Sequence, residues 1–146
     1  MRDIEAGWDA DTFRHEAHRM VDWIADYLSG GARRHPVLAR VEPGEVASRL
    51  PDAMPVQPEP PDAIWDDFVD IVLPGVTHWN HPGFMAYFGI SSSGPGIAGE
   101  LLSAALNVNG MLWRTSPSAT ELELKVVDWL RDGLELIPWD SLRMEG

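Results

Sequence analysis

Five prolines fall between residues 51 and 61, at Pro51, Pro55, Pro58, Pro60 and Pro61. Each fixes its own φ, lacks a backbone donor and pushes the residue before it out of the helical region. The stretch therefore excludes both helix and central strand, and is expected to run as a semi-rigid extended strap. The pieces on either side are small for separate cores. At 146 residues and 45% hydrophobic content, one domain is the expectation.

Ahead of the strap, Thr12 is placed to cap a helix in which Phe13, Ala17, Met20, Val21, Ile24, Ala25 and Leu28 recur at three- and four-residue steps, and Ser29-Gly30-Gly31 ends it. His15, Arg19, Asp22 and Asp26 fall on the opposite face, so the apolar stripe is expected to pack against another surface. An extended connector from Arg33 to Val41 leads to Glu42-Pro43-Gly44-Glu45, which opens a short helix through Leu50. Beyond the strap, Asp62 reads as the cap of a helix from Ala63 to Leu73 with Ile64, Phe68, Ile71 and Val72 inward and Asp66, Asp67 and Asp70 outward. A third helix carries Ile97, Leu101, Leu102, Ala105, Leu106 and Val108, Asn109-Gly110 predicts a turn, and Ser116-Pro117 starts the longest helix, running to about Ile137. With no alternating strand pattern and no repeat, the class is mainly α.

Between these helices lies a run with neither period, Pro74-Gly75-Val76-Thr77-His78-Trp79-Asn80-His81-Pro82-Gly83-Phe84-Met85-Ala86-Tyr87-Phe88-Gly89-Ile90. Loops are normally polar because their backbone lies in water, so this density of rings is as consistent with a pocket wall as with core.

A net charge of -12 and a single lysine, Lys125, argue against nucleic acid as a partner. No apolar run approaches the length of a membrane span or a signal peptide. Without cysteine there is no disulfide or thiolate site, which fits the cytoplasm. His15 with His18 and His78 with His81 are spaced three apart, but no further ligand completes either pair, so no metal is expected. Ser91-Ser92-Ser93-Gly94-Pro95-Gly96 lacks the Walker spacing and reads as a turn with a helix cap. Lys125 follows Glu121 by four residues on a regular helix, the setting of a surface ion pair. No serine–histidine–acid set is evident, Ser91–Ser93 and Asp70 stay open as members of one, and no catalytic residue is assigned.

The blocks Pro74-Gly75-Val76-Thr77-His78-Trp79, His81-Pro82 and Phe84-Met85-Ala86-Tyr87-Phe88 resemble the group II pyridoxal-phosphate-dependent amino-acid decarboxylase family, of aromatic-L-amino-acid decarboxylase type. Phe13 with Met20-Val21-Asp22, Val41-Glu42-Pro43-Gly44, Ala105-Leu106-Asn107-Val108-Asn109, and Trp113-Arg114-Thr115-Ser116-Pro117 with Thr120-Glu121-Leu122-Glu123 resemble the same family in the same order. The resemblance implies the leading part of a fold-type-I, aspartate aminotransferase-like decarboxylase and an incomplete cofactor domain. It implies a flexible N-terminus at 1–11, a helical arm at 12–73 that wraps a partner subunit in a homodimer, the pocket loop and first cofactor-domain helices at 74–138, and a tail at 139–146 outside the family pattern. It further implies an amino-acid substrate contacted by Trp79, Tyr87, Phe88, Ile90, Asn109 and Met111. Gly89 and Ile90 stand where family members usually have proline and threonine, and Asn109 and Met111 where they have isoleucine and phenylalanine, departures that bear on which amino acid is accepted. The Schiff-base lysine, its acidic partner and the ring-stacking histidine are implied to lie beyond Gly146. Pyridoxal phosphate is thus expected in the complete enzyme, not bound covalently by this chain, and the chain alone is expected to be inactive. The alternative is a non-catalytic helical dimerisation module derived from the same family.

Overall fold

A computed structural model describes residues 8–90 and 92–136. The expectations for residues 1–7, Ser91, Ile137, Pro138 and the tail at 139–146 lie outside the described residues. The chain forms two compact units, Met1–Ser92 and Ser93–Gly146. Among the described residues there are helices, tight helical turns and loops, and no strand.

The first unit is built on α1, Ala10–Leu28. Its cap is Asp9 rather than Thr12: the Asp9 carboxylate accepts the Thr12 N–H at 2.7 Å, a stronger acceptor placed three residues earlier. Gly30 at φ 124° ends the helix, and the next residue, Gly31, has room for no side chain, because a Cβ there would meet the Asp26 carbonyl oxygen at 2.6 Å.

The face of α1 that packs within the unit also differs from expectation. Glu16 is buried, and Arg19, Trp23 and Tyr27 are half-buried, a stripe at the same three- and four-residue steps but rotated away from the apolar one. Phe13 and Val21, expected inward, are 54% and 51% exposed. The reason is reach: Trp23 and the guanidinium find partners at Asp62, Trp65 and Phe68, whereas among the described residues Phe13 and Val21 of the aliphatic stripe are left exposed.

After a 3₁₀ turn at Gly31–Arg34 comes the short α2, Glu45–Ser48, entered through Gly44 at φ 90° and closed by the Glu45 carboxylate accepting the Glu42 N–H at 3.0 Å. The strap at 51–60 is exposed and without helix. α3, Pro61–Asp67, starts earlier than expected, with Pro60 at the cap position and Pro61 in the first turn, where its missing N–H costs nothing. Asp62 is therefore not the cap. Its carboxylate accepts from Arg19 of α1 at 2.7 Å. Arg19 also pairs with Glu16 and lies over the Trp65 ring, 4.8 Å from its centroid, so a residue expected on the solvent face clamps α1 to α3. The helix widens into a π turn at Phe68–Val72, closed by Leu73 N–H to Phe68 C=O, and tightens into a 3₁₀ turn at Leu73–Gly75. Asp66, Asp67 and Asp70 face outward as expected, while Ile64 and Val72, expected inward, are exposed.

The second unit holds α4, Gly94–Leu106, and α5, Pro117–Gly133. Ser93 caps α4 by accepting the Gly96 N–H at 3.2 Å, and Asn107 ends it in the left-handed region at φ 46°. The Asn109–Ser116 turn is tied to α5 by the Trp113 indole N–H, which donates to Glu121 at 2.7 Å. Glu121 so engaged makes no ion pair with Lys125, contrary to the helical-spacing expectation. α5 stops at Gly133, short of Ile137. Glu135 takes a left-handed φ of 53°, and the Leu136 and Glu135 N–H groups close back onto Arg131 and Asp132 at 2.9 and 3.1 Å.

Among the described residues only Ala32 and Leu73 are buried hydrophobic side chains. Leucines 101, 102 and 106 of α4 and Leu122, Trp129 and Leu130 of α5 are all exposed.

Candidate functional site

The aromatic loop begins at a buried anchor. His78 is 2% exposed, and its Nδ1 lies 2.7 Å from the Tyr27 hydroxyl of α1. Its ring stacks on His35 at 4.5 Å, and its N–H donates to the Val37 carbonyl at 3.0 Å. Burial, followed by the neighbouring His35 and His81, holds the His78 imidazole below the usual histidine range. Burial raises the Tyr27 phenol. At neutral pH the pair is thus an uncharged phenol and an uncharged imidazole.

From this anchor the loop turns through His81 N–H to His78 C=O and Phe84 N–H to His81 C=O, both 2.9 Å, and Gly83 N–H to His81 Nδ1, also 2.9 Å. Asn80 donates to the Ser92 hydroxyl at 3.1 Å. These bonds bring three rings together: Trp79 stacks on Phe84 at 4.7 Å and lies nearly parallel to Tyr87 at 6.0 Å. The segment 84–88, part of the run with neither helical nor strand period, forms no strand. Tyr87 sits at φ 54°, a left-handed backbone that costs a bulky residue of order 1–3 kcal/mol.

Of the residues expected to contact substrate, Trp79 and Tyr87 share this ring stack, and Phe88 and Ile90 follow it at 92% and 79% exposure. Asn109 and Met111 belong to the second unit, where the Asn109 side chain accepts the Met111 N–H at 3.0 Å. The anchor residues Tyr27 and His35 carried only weak sequence signals: Trp23 and Tyr27 at i, i+4 on the polar side of α1, and a second His-Pro pair at His35.

Two concavities lie in the first unit. One of about 400 Å³ is bordered by His35, Arg40, Glu45, Arg49 and the apolar Val41, Val69 and Leu73. The other, about 270 Å³, is an apolar cleft between Trp23, Ile24, Ile64 and Phe68. Neither contains a lysine, and Lys125 is exposed on α5. No cluster of three metal-ligating side chains occurs among the described residues. The described residues thus supply aromatic and apolar surface, and neither concavity offers a lysine to the aldehyde of pyridoxal phosphate.

A family profile, the pyridoxal-dependent decarboxylase conserved domain, matches residues 43–145. The phenylacetaldehyde synthase of Petunia hybrida is 51% identical over 122 residues, covering 84% of this chain and 24% of that protein. The crystal structure of Catharanthus roseus tryptophan decarboxylase in complex with L-tryptophan superposes with a TM-score of 0.82 at 46% identity, covering 89% of this chain and 28% of that one. The structure of Oryza sativa TDC with PLP and tryptamine gives the same TM-score of 0.82 at 38% identity, covering 88% of this chain and 27% of that one. The chain therefore spans about a quarter of the length of the relatives it matches, and what it carries is a helical fragment of their fold. The ordered motifs and the shared helical fold have one common explanation: this chain belongs to the pyridoxal-dependent decarboxylase family.

Proposed function

We propose that this chain contributes the dimer-forming arm and one wall of the substrate pocket to a cytoplasmic, homodimeric, pyridoxal-phosphate-dependent L-amino-acid decarboxylase, and that it is inactive alone. The observation that carries the reading is the contrast within the loop: His78 is fully packed, while Tyr87 and Phe88 a few residues on are 86% and 92% exposed. Rings held out from a rigid base are arranged to meet something the chain does not contain. An aromatic or aliphatic amino-acid side chain is the occupant such a surface suits, with Trp79, Tyr87, Phe88 and Ile90 lining it and Asn109 and Met111 reaching the pocket of the other subunit. In the reaction the α-carboxylate leaves as carbon dioxide and a proton takes its place. The electron sink belongs to the cofactor, which other residues hold.

The test joins this chain to the remaining three-quarters of the Catharanthus roseus aromatic-L-amino-acid decarboxylase, whose matched part is 47% identical over 128 residues. The chimera is expected to bind pyridoxal phosphate and to release carbon dioxide and amine from an L-amino acid, with aldehyde assayed in parallel. The chain alone is expected to do neither. An imine absorbance from the chain alone, abolished by Lys125→Ala, overturns the reading.

A second reading, a non-catalytic helical dimerisation module, draws on the open apolar faces of α1, α4 and α5. It is favoured if the chain dimerises in solution while the chimera stays inactive. A monomer in solution counts against both readings.

A further inference from the structure

Tyr27 and His78 are 51 residues apart in sequence, and their 2.7 Å hydrogen bond is where the arm helix meets the base of the aromatic loop. On the arm side Tyr27 is itself held rigidly: its ring stacks on Trp23 at 5.2 Å, and Trp23 stands edge-on to Phe68 at 5.2 Å and to Trp65 at 6.3 Å. On the loop side His78 is gripped by its ring through Tyr27 and His35 and by its backbone through Val37. The very next residue is Trp79, the centre of the ring stack. An error in the direction of His78 is carried directly into Trp79, and through it to Phe84 and Tyr87.

We propose that Tyr27 is a positioning residue for the aromatic wall: its hydrogen bond to His78 sets where Trp79 and the rings stacked on it stand. The arm then acts on the pocket as well as on the subunit partner. The consequence for turnover rests on the pocket reading given above, whereas the consequence for ring placement does not. The low basicity of the buried imidazole fits the same arrangement, because an uncharged ring shares this bond with the Tyr27 hydroxyl without burying a charge. The bond removes one orphan donor and one orphan acceptor from a part-buried site, so its loss leaves both groups without partners.

The decisive measurement is made on the full chain by NMR, with labelled tryptophan indoles and histidine rings. The native chain is expected to show Trp79 resonances displaced by ring stacking and an uncharged His78 ring. Tyr27→Phe removes a single oxygen. It is expected to move the Trp79 resonances towards those of an unstacked tryptophan while far-UV circular dichroism holds its native helical intensity. Trp79 resonances that stay at their native positions in Tyr27→Phe overturn the proposal. Should that variant lose helix, His78 decides: His78→Asn keeps an amide near the Nδ1 position and is expected to retain the stack, and His78→Leu is expected to lose it. Equal behaviour of those two variants overturns the proposal. In the chimera, Tyr27→Phe is expected to raise KM roughly fivefold while leaving kcat near native. A native chimera without turnover refutes the pocket reading and leaves the ring-placement result standing. An unmoved Trp79 refutes the positioning role even where the chimera is active.

Discussion

The guanidinium of Arg19 lies over Trp65, 4.8 Å from the ring centroid, while its Nη1 donates to Asp62 at 2.7 Å and its charge answers the buried Glu16. One side chain thus makes two kinds of contact from α1 to α3 and a third within α1. The Asp62 bond is largely solvated and contributes little by itself, whereas Glu16 is 4% exposed and depends on its counter-charge. Arg19→Ala is expected to destabilise the first unit by about 1–3 kcal/mol, read as a shift of the urea midpoint. Arg19→Lys keeps the charge without the planar fork and is expected to recover less than half of the loss.

Two glycines in helical surroundings are expected to answer the same substitution with opposite signs. A Cβ at Gly31 meets the Asp26 carbonyl oxygen at 2.6 Å, so Gly31→Ala forces the backbone apart and is expected to cost about 1–3 kcal/mol. A Cβ at Gly99 in α4 meets nothing within 4 Å, so Gly99→Ala gains helix propensity and is expected to stabilise by about 0.5–1 kcal/mol. Thermal melts of the two variants against the native chain check both.

The Asp9 cap is expected to give α1 an acid-sensitive step. The backbone N–H of Thr12, and then its side chain, hold the Asp9 carboxyl below its usual range, so the folded helix favours the charged form. That contribution is present above the ordinary aspartate range and is lost as pH falls through it into the lowered range. Far-UV circular dichroism against pH should show the step in the native chain, and Asp9→Asn should abolish it.

A second step is expected nearer neutrality. The buried His78 faces the Tyr27 hydroxyl, His35 and His81, and its folded form resists protonation more than the unfolded chain does. Stability is therefore full above an ordinary histidine pKa of about 6.5 and declines as pH falls below it, because unfolding takes up a proton. Urea midpoints measured across this interval should fall with acidification in the native chain and stay level in His78→Asn.

Much of the architecture was legible from residue patterns. The prolines fixed the strap, Ser116-Pro117 fixed the start of α5, and the helical period located α1 with its cap three residues from the observed one. Period alone did not say which face of α1 is covered, because the aliphatic stripe and the Glu16–Arg19–Trp23–Tyr27 stripe share one spacing and differ only in what lies opposite. The outcome depended on α3 offering an indole and a carboxylate, a non-local fact. The same limit applied to His78. Its spacing from His81 suggested a ligand pair, but its role as an anchor follows from Tyr27, on another element. Glu121 was assigned to Lys125 from spacing and was taken by the Trp113 indole from the preceding turn.

The separation between a packed His78 and the nearly bare Tyr87, Phe88 and Ile90 has an evolutionary consequence. Side chains that carry almost no packing can be exchanged at little thermodynamic penalty, commonly within about 0.5 kcal/mol. Descendants of such a loop are free to try new rings, aliphatics or polar groups at its rim while the histidine below stays fixed. Change at the rim and maintenance of the packed anchor are then selected independently, at different residues of one short segment.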